Sequence, residues 1–396
     1  MMGMVLSTFT EEKLTMSSRL SQNSIRVFFQ ALPDPRPRRK RIKHPLLGLV
    51  VMALCGTIAG ADGWEEIEQF AVDRREWLSR LVDLSEGIPS HDTFGRVFAA
   101  LDPVAFQKCL VAWVQRLHEV TQGQIIAIDG KVAREAMARS GKQGPMTLVS
   151  AWATANHVCL GQVAGAEGSN ELGALPQLLE LLDLHGAIVT LDALGCQKEI
   201  VSQIVDQGGD YVITVKGNQE KLEAAVHETI HNALETNTHA STLARTEKTH
   251  GRKERRMYTA FKVPGDFSEL TEWRGLKSLL MVVREHVDGK GDTHTGIRYY
   301  ISSLPPQVKR LAAAVRGHWS IENNMHWVLD VAFREDRSRA QAEHAQANLG
   351  VLRRTALAML KNAPGLTGSI HCRRQQTAWN EKTLGTVLFG CQAAAD

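Results

Sequence analysis

The sequence predicts an α/β fold, and three observations support this prediction. Residues 24–118 have helical patterning with no strand-like alternation, apolar segments typical of buried strands begin after Gly123, and β-like segments fill 240–303. A chain of 396 residues, 43% hydrophobic and 22% charged, is long enough for two or three soluble domains. We predict the following regions: a disordered N-terminus at 1–23, a helical N-terminal domain at 24–118, an α/β domain at 123–363 with a β-rich insertion at about 240–303, and a C-terminal tail at 364–396.

The N-terminal region is predicted to be helical. A first helix from Val27 to Leu32 ends at Pro33 and Pro35, because proline breaks a helix. The uncharged segment 45–61 predicts a buried helix. A membrane anchor is the alternative interpretation, but three glycines interrupt the segment and it is short for a membrane span.

Short strands and helices then alternate along the chain. The predicted order from Gly123 is three strands, a leucine-rich helix, and a strand–helix–strand unit: 125–128, 147–153, 158–164, 171–182, 187–191, 198–205 and 211–215. The segments that follow are a helix, three β-like segments and two long helices: 219–237, 257–263, 279–283, 296–302, 307–332 and 342–360. This succession is typical of an α/β domain with a β-rich insertion.

Charge is concentrated in two segments, although the net charge of +3 says little about partners. Six of the eight residues from 36 to 43 are basic, and six basic residues lie between 245 and 256. Local basic clusters suit contacts with DNA phosphates, and a solvated surface is the alternative. The candidate DNA-binding residues in these segments are Arg36, Arg38, Arg39, Lys40, Arg41, Lys43, Arg252, Lys253, Arg255 and Arg256.

The six cysteines are scattered and form no C-x-x-C pair. This spacing makes a zinc ribbon or finger improbable. It favours reduced thiols in a cytosolic protein.

Three carboxylates in distant segments suggest a metal site. Asp129 and Asp192 each stand at the carboxyl end of a predicted buried strand, and Glu322 stands on a predicted helix. A carboxylate at the end of a buried strand costs desolvation energy unless it is paired or binds a cation. Two aspartates and one glutamate suit two Mg²⁺ ions for phosphoryl chemistry, with Mn²⁺ able to replace them.

The helix that carries Glu322 has an unusual polar face. Trp319, Glu322, His326 and Asp330 are spaced by three, four and four residues, so a regular helix places them on one side. A packed polar stripe is the alternative interpretation. Trp319 would suit stacking on an unpaired base. The candidate DNA-binding residues around this site are Lys131, Lys216, Asn218, Gln219, Arg316 and Trp319.

With these residues the chain resembles the DDE transposases of bacterial insertion sequences, in particular the ISAs-type group, also described as H-repeat-associated proteins. The resemblance covers about residues 26–360. The motifs that carry it, in chain order, are Leu32-Pro33-Asp34-Pro35-Arg36, Gly87-Ile88-Pro89-Ser90-His91-Asp92-Thr93-Phe94, Ile128-Asp129-Gly130-Lys131, Val149-Ser150-Ala151-Trp152, Ser169-Asn170-Glu171, Val189-Thr190-Leu191-Asp192-Ala193, Gly195-Cys196-Gln197, Asp210-Tyr211, Lys216-Gly217-Asn218-Gln219, His250-Gly251-Arg252 and His318-Trp319-Ser320-Ile321-Glu322-Asn323.

The resemblance implies an RNase H-like catalytic core in which Asp129, Asp192 and Glu322 bind two Mg²⁺ ions. It implies a helical N-terminal domain associated with DNA binding and a β-rich insertion before the glutamate. The expected activity is metal-dependent cleavage at the ends of an insertion sequence and strand transfer into target DNA. The expected partners are double-stranded DNA and a second copy of the chain in a synaptic complex, with no membrane. The expected location is the bacterial cytoplasm, on the nucleoid when the enzyme is active.

The chain departs from the family pattern at two places. Gly168 stands where the group has a lysine before Ser-Asn-Glu, and His318 and Leu329 replace the tyrosine and lysine found around the glutamate in related transposases. A hairpin-type excision is therefore not assumed. Two other functions stay open: a decayed copy that binds DNA without catalysis, and a phosphoesterase for small molecules, which the basic N-terminal region disfavours.

Overall fold

The computed structural model describes most of the chain. The described residues are 25–29, 31–37, 42–117, 124–132, 147–155, 157–165, 171–238, 241–249, 252–287, 292–338, 340, 342 and 344–389. The N-terminus predicted to be disordered, residues 1–23, lies outside them.

One mixed sheet of nine strands forms the centre of the fold, with the strand order β3-β2-β1-β4-β5-β9-β8-β7-β6. The strands are β1 (Ile125–Val132), β2 (Thr147–Ala153), β3 (Val158–Ala164), β4 (Ile188–Leu191), β5 (Asp210–Val215), β6 (Ser241–Thr249), β7 (Arg252–Lys262), β8 (Ser278–Val287) and β9 (Thr293–Ser302). Strands β1, β4 and β5 are parallel, and every other pairing is antiparallel. The parallel strands contain almost continuously apolar runs, as expected for strands covered on both faces.

The segment predicted as a β-rich insertion extends this sheet and does not form a separate layer. Strand β9 pairs with β5 from Val212–Ser302 to Val215–Tyr299, and β8, β7 and β6 follow outward. The chain therefore leaves the parallel centre after β5 and returns to it at β9.

Fourteen α-helices lie in the described part of the chain. They are α1 (Ile25–Phe29), α2 (Leu46–Ile58), α3 (Trp64–Asp73), α4 (Arg75–Leu78), α5 (His91–Ala100), α6 (Pro103–Leu117), α7 (Leu175–Glu180), α8 (Lys198–Asp206), α9 (Glu220–Glu235), α10 (Val308–Ile321), α11 (Trp327–Phe333), α12 (Ala345–Asn362), α13 (Ile370–Trp379) and α14 (Glu381–Phe389). Helix α2 is apolar on all sides and buried along almost its whole length, as predicted for 45–61. None of the helices in the described ranges is long and apolar enough to cross a membrane.

Helix α12 joins the N-terminal helices to the sheet. Almost all of its side chains are buried, including the polar Asn348. The Asn348 side-chain amide donates hydrogen bonds to the carbonyl oxygens of Phe98 (2.7 Å) and Leu101 (2.8 Å) at the end of α5. On the other side, Gln162 of β3 donates to the Ala347 carbonyl at 3.0 Å. Residues 25–117 therefore share one core with the end of the chain.

The segment predicted as a C-terminal tail contains helices α13 and α14. Arg374 of α13 is buried and donates to the Thr57 carbonyl at the end of α2 and, at 3.0 Å, to Asp62 Oδ1. Thr377 donates to the Ile58 carbonyl at 3.1 Å. These side chains satisfy carbonyl groups that a helix end leaves without partners. The buried residues of α13 are polar, so the sequence has no apolar periodicity that would predict the packing.

Candidate metal centre and active site

Two neighbouring parallel strands bring the aspartates together. Asp192 directly follows β4, as predicted for a residue at the carboxyl end of a strand. Asp129 lies two residues beyond the last β1–β4 pair, Ala127–Thr190, although β1 itself continues to Val132 by pairing with β2. In an open α/β sheet, ligands bind beyond the carboxyl ends of the parallel strands.

A break in a long helix positions Glu322. Helix α10 ends at Ile321 and is followed by a π-helical turn, Glu322–His326, before α11 begins. Such turns inside helices are frequent at functional sites. Helix α10 lies close to β1 because Gly317 has no side chain: a Cβ there would be 3.0 Å from Cγ2 of Ile125. His318 and Thr190 hydrogen-bond at 3.1 Å and fix α10 to β4.

All three predicted carboxylates line one pocket of about 310 Å³. The pocket is also lined by Lys216, Arg298, His318, Trp319 and Tyr300. Segments separated by 63 and 130 positions in the sequence therefore meet at a single concave site, with basic and aromatic groups around the acids.

His326 is the side chain that joins two of these acids. Its Nδ1 atom lies 3.5 Å from Asp129 Oδ2 and 3.2 Å from Glu322 Oε2. Ligand atoms of the three residues all lie within 4.8 Å of one another, which is close enough to share one cation. His326 is only 4% exposed, and its Nε2 atom has no hydrogen-bond partner among the described residues. Carboxylate oxygens are the ligands that Mg²⁺ and Mn²⁺ prefer, so Asp129 and Glu322 fit a divalent ion, with His326 hydrogen-bonded to Glu322.

The charges at this site repel one another. Burial, together with the nearby charges of Asp192 and Glu322, raises the pKa of Asp129 to about 6, against the opposing effect of His326. Burial and the charges of Asp129 and Asp192 raise the pKa of Glu171 to about 7. In contrast, the hydrogen bond with His326 lowers the pKa of Glu322. A divalent cation among these carboxylates would replace repulsion with attraction.

Comparisons with known proteins identify the family. Residues 121–359, which include Asp129, Asp192 and Glu322, match the family model described as Transposase DDE domain, and residues 27–114 match a model described as DDE_Tnp_1-associated. The chain belongs to the DDE transposase family.

Relatives agree with this assignment over nearly their whole length. The protein named "Putative transposase YncI" of Escherichia coli O157:H7 is 39% identical over 375 residues, which is 94% of this chain and 96% of that protein. The "H repeat-associated putative transposase YhhI" of Escherichia coli (strain K12) is 35% identical over 363 residues, 91% of this chain and 96% of that protein. The family resemblance read from the motifs is therefore confirmed.

The sequence-based prediction gives no role to Arg298, Tyr300 or Glu171 of this transposase. Arg298 of β9 lies over the Trp319 ring, with its guanidinium carbon 4.6 Å from the ring centroid. Because Arg298 and Tyr300 alternate on one face of a strand, the pattern could have placed both at the site. Glu171 lies in a sequence motif that carries the family resemblance, but the motif alone suggests no chemistry for this residue.

Asn218 and Gln219, whose side-chain amides are predicted to contact DNA, hydrogen-bond to the loop that follows Asp192. Asn218 donates to the Ala193 carbonyl at 2.7 Å, and Gln219 donates to the Cys196 carbonyl at 2.9 Å. Asp192 Oδ1 itself accepts backbone N–H groups of Leu194 (2.9 Å) and Gly195 (3.3 Å). These contacts fix the carboxylate, so we assign both amides to positioning. Lys216, next to them, is exposed and lines the pocket.

Two basic residues predicted to bind DNA form ion pairs with carboxylates of the same chain. The Lys131 ammonium contacts Asp330, Glu335 (3.2 Å) and Asp336 (3.3 Å). The Arg36 guanidinium pairs with Asp34 at 2.6 Å and donates to the His44 carbonyl at 2.8 Å, which holds the turn around Pro35. Both charges are paired within the chain, and the DNA contacts of Lys131 and Arg36 stay predictions.

The structure describes only some of the other basic candidates. Arg38, Arg39, Lys40 and Arg41 lie outside the described residues, as do the side chains of Arg252 and Lys253. Lys43 is exposed. Arg255 lies 3.7 Å from Glu285, and Arg256 pairs with Glu254. Arg316 lies near enough to Glu254 for its charge to help lower the pKa of that carboxyl group.

Proposed function

We propose that this protein is a DNA transposase that cuts DNA at the ends of its insertion sequence and joins those ends to target DNA. In this proposal Asp129, Asp192 and Glu322 are the catalytic, metal-binding residues of an RNase H-like core. The observation that carries it is the meeting of these three carboxylates in one pocket beside the buried His326. The family supports the same assignment.

The chemistry needs an activated oxygen nucleophile and a stabilised leaving oxygen. When bound between the carboxylates, two Mg²⁺ ions, or Mn²⁺ in their place, supply both effects. The protein fixes the ligands beforehand: two backbone N–H groups hold Asp192 and His326 holds Glu322. Pre-organised ligands lower the cost of reaching the reactive geometry.

DNA would approach across a basic face of the sheet. In the strand register Arg245 faces Arg256, and Arg256 faces Arg284, so one row of arginines crosses β6, β7 and β8. On β9 the residue opposite Arg284 is Gly296, and Arg298 lies two residues further along the same face, beside Trp319 at the pocket. Such a row suits the phosphates of a duplex. We assign DNA contacts to this row, to Lys43, Lys216 and Arg316, and to the segments 38–41 and 252–256.

The N-terminal helices would contribute to binding element ends, and two copies of the chain would hold two ends in a synaptic complex. Cleavage would take place in the bacterial cytoplasm, on the nucleoid. Terminal inverted repeats with short flanking duplications around the gene would give the substrate sequence.

The purified full chain, mixed with a duplex carrying its own element end, tests the function. We expect nicking or cutting at the end with Mg²⁺ or Mn²⁺, and none with a chelator. A shuffled end sequence is the matched control. A chain that binds the end but never cuts it would be a decayed DNA-binding copy, and the proposed catalysis would be rejected.

Replacement of Trp319 by alanine should weaken binding of a substrate with an unpaired end. Trp319 is 39% exposed at the pocket mouth, and Arg298 covers one face of its ring. We expect a loss of about 1–3 kcal/mol of binding free energy, the value of one base stacked on an aromatic ring. Fluorescence anisotropy with frayed and fully paired duplexes measures it. Trp379→Ala is the control, since Trp379 is 73% exposed on α13; equal losses in both variants would remove Trp319 from base contact.

The basic segment 36–43 should control the salt dependence of DNA binding. Each phosphate contact contributes about 0.9 to the slope of log affinity against log salt. Replacing Arg38, Arg39, Lys40 and Arg41 together by alanine should lower the magnitude of that slope by about one to three units. Binding to unrelated duplexes should weaken too, since phosphate contacts carry no base information. An unchanged slope would make the segment a solvated linker.

A further inference from the structure

The carboxyl group of Glu171 lies directly over the strand that carries Asp129. Glu171 opens a short 3-10 turn, Glu171–Gly173, before α7. A Cβ atom at Gly130 would lie 2.2 Å from both Cδ and Oε1 of Glu171. The absence of a side chain at Gly130 therefore makes room for this carboxyl group next to Asp129.

Glu171 lies beside groups of the metal centre and has no basic partner among the described residues. The negative charges of Asp129 and Asp192 act on it, and His326 attracts it. No lysine or arginine in the described ranges forms an ion pair with Glu171. A half-buried carboxylate beside two others costs free energy unless a cation is bound there.

A second feature of the same cluster also points to a cation. His326, which is 96% buried, contacts Asp129 and Glu322 through Nδ1, while its Nε2 atom has no hydrogen-bond partner among the described residues. Buried imidazole nitrogens normally have a partner. The ligand atoms of Asp129, Glu322 and His326 lie within 4.8 Å of one another, and Asp192 and Glu171 lie near enough to interact with Asp129 through their charges.

We propose that Glu171 is a fourth carboxylate of the metal centre and that it binds a divalent cation together with Asp129 and Asp192. This inference rests on the proposed function. Two divalent ions carry four positive charges, whereas Asp129, Asp192 and Glu322 supply three negative charges. Glu171 supplies the fourth, so the loaded centre is neutral before DNA phosphates enter.

Binding of Mn²⁺ to the full-length chain, measured by titration with electron paramagnetic resonance, tests the inference without an activity assay. We expect Glu171→Gln to weaken binding of at least one ion by about tenfold or more, as changes around metal ligands do. Thermal unfolding without metal should be unchanged or occur at higher temperature, because repulsion is removed. Glu180→Gln, on the exposed end of α7, is the matched control and should bind like the wild type.

The outcomes separate this inference from the proposed function. A wild-type chain that binds no Mn²⁺ would overturn the metal-dependent function. Normal binding by Glu171→Gln, with binding lost in Asp129→Asn, would overturn only the role of Glu171. Lower stability of Glu171→Gln with normal Mn²⁺ affinity would show a structural role and would also reject the inference.

Gly130→Ala provides an independent test of the geometry. The new methyl group would displace the Glu171 carboxyl group, so Mn²⁺ affinity should fall as it does in Glu171→Gln. In a Glu171→Ala background the clash is absent, and Gly130→Ala should then have little further effect. If the losses of Mn²⁺ affinity caused by Gly130→Ala and Glu171→Ala simply add in the double variant, Gly130 does not act through Glu171 and the proposal fails.

Discussion

Asp129→Asn, Asp192→Asn and Glu322→Gln should each lower Mg²⁺-dependent cleavage of the element end by about 10³-fold or more, as the loss of a residue from a catalytic unit does. Each change keeps the shape of the side chain but removes one negative charge from the pocket shared by the three residues. DNA affinity should stay within a few-fold of the wild type, because the basic residues proposed to contact phosphates are unchanged. Single-turnover cleavage and anisotropy on the same protein samples measure the two effects separately.

Glu180→Gln is the control for this series, since Glu180 is exposed and remote from the pocket. A variant of the triad that still cuts at near-normal rate would remove its residue from the catalytic group. A variant that loses DNA binding to the same extent as cleavage would instead indicate a folding defect.

Arg354→Met should lower the free energy of unfolding by about 3–5 kcal/mol, the usual cost of removing one partner from a buried ion pair. Arg354 and Glu335 are both almost fully buried, with Nη1 2.6 Å from Oε1. Lys131, 3.2 Å from Glu335, would then remain as its basic partner. Urea unfolding at pH 7 measures the change. Arg255→Met, which breaks an exposed contact with Glu285, should have no comparable effect.

The same pair predicts the pH dependence of stability. Burial alone would raise the pKa of Glu335, but the charges of Arg354, Lys131 and Arg353 lower it to about 2 from an ordinary value of 4.5. The stabilisation is therefore fully present above pH 4.5 and is lost as the pH falls towards 2. In Arg354→Met the pKa of Glu335 should rise, so stability should be lost at a higher pH. If the melting temperatures of the wild type and Arg354→Met change in parallel with pH, this assignment is wrong.

The parts of the fold that the sequence predicts well are those set by apolar patterning. Strand β4 and the position of Asp192 after it follow from four consecutive buried residues, Ile188–Leu191. Glu322 was expected on a helix, and it follows α10. The π-helical turn at Glu322 was not predictable, since one extra residue per turn depends on packing against β1 and leaves little trace in the sequence.

The partners of long polar side chains could not be predicted. Lys131 was expected to face DNA, but its carboxylate partner Asp330 lies 199 positions away. A basic residue in the sequence shows a charge without showing what neutralises it. Similarly, Arg374 gave no sign of burial, because arginine is seldom buried unless the fold supplies several acceptors. The acceptors are the carbonyl groups of Thr57, Ala61 and Ala332 and the carboxylate of Asp62, which the sequence does not distinguish from any others.

The joining of both chain ends through α12 and α13 has a consequence for chimeric transposases. Asn348 holds the end of α5, and Arg374 and Thr377 hold the end of α2. An exchange of residues 25–117 alone, made to transfer the end recognition of a relative, would therefore carry only half of each interface. A hybrid that also takes α12 to α14 from the parent of its N-terminal helices would keep these hydrogen bonds, and its new junction would lie between α12 and β3, where Gln162 donates to the Ala347 carbonyl.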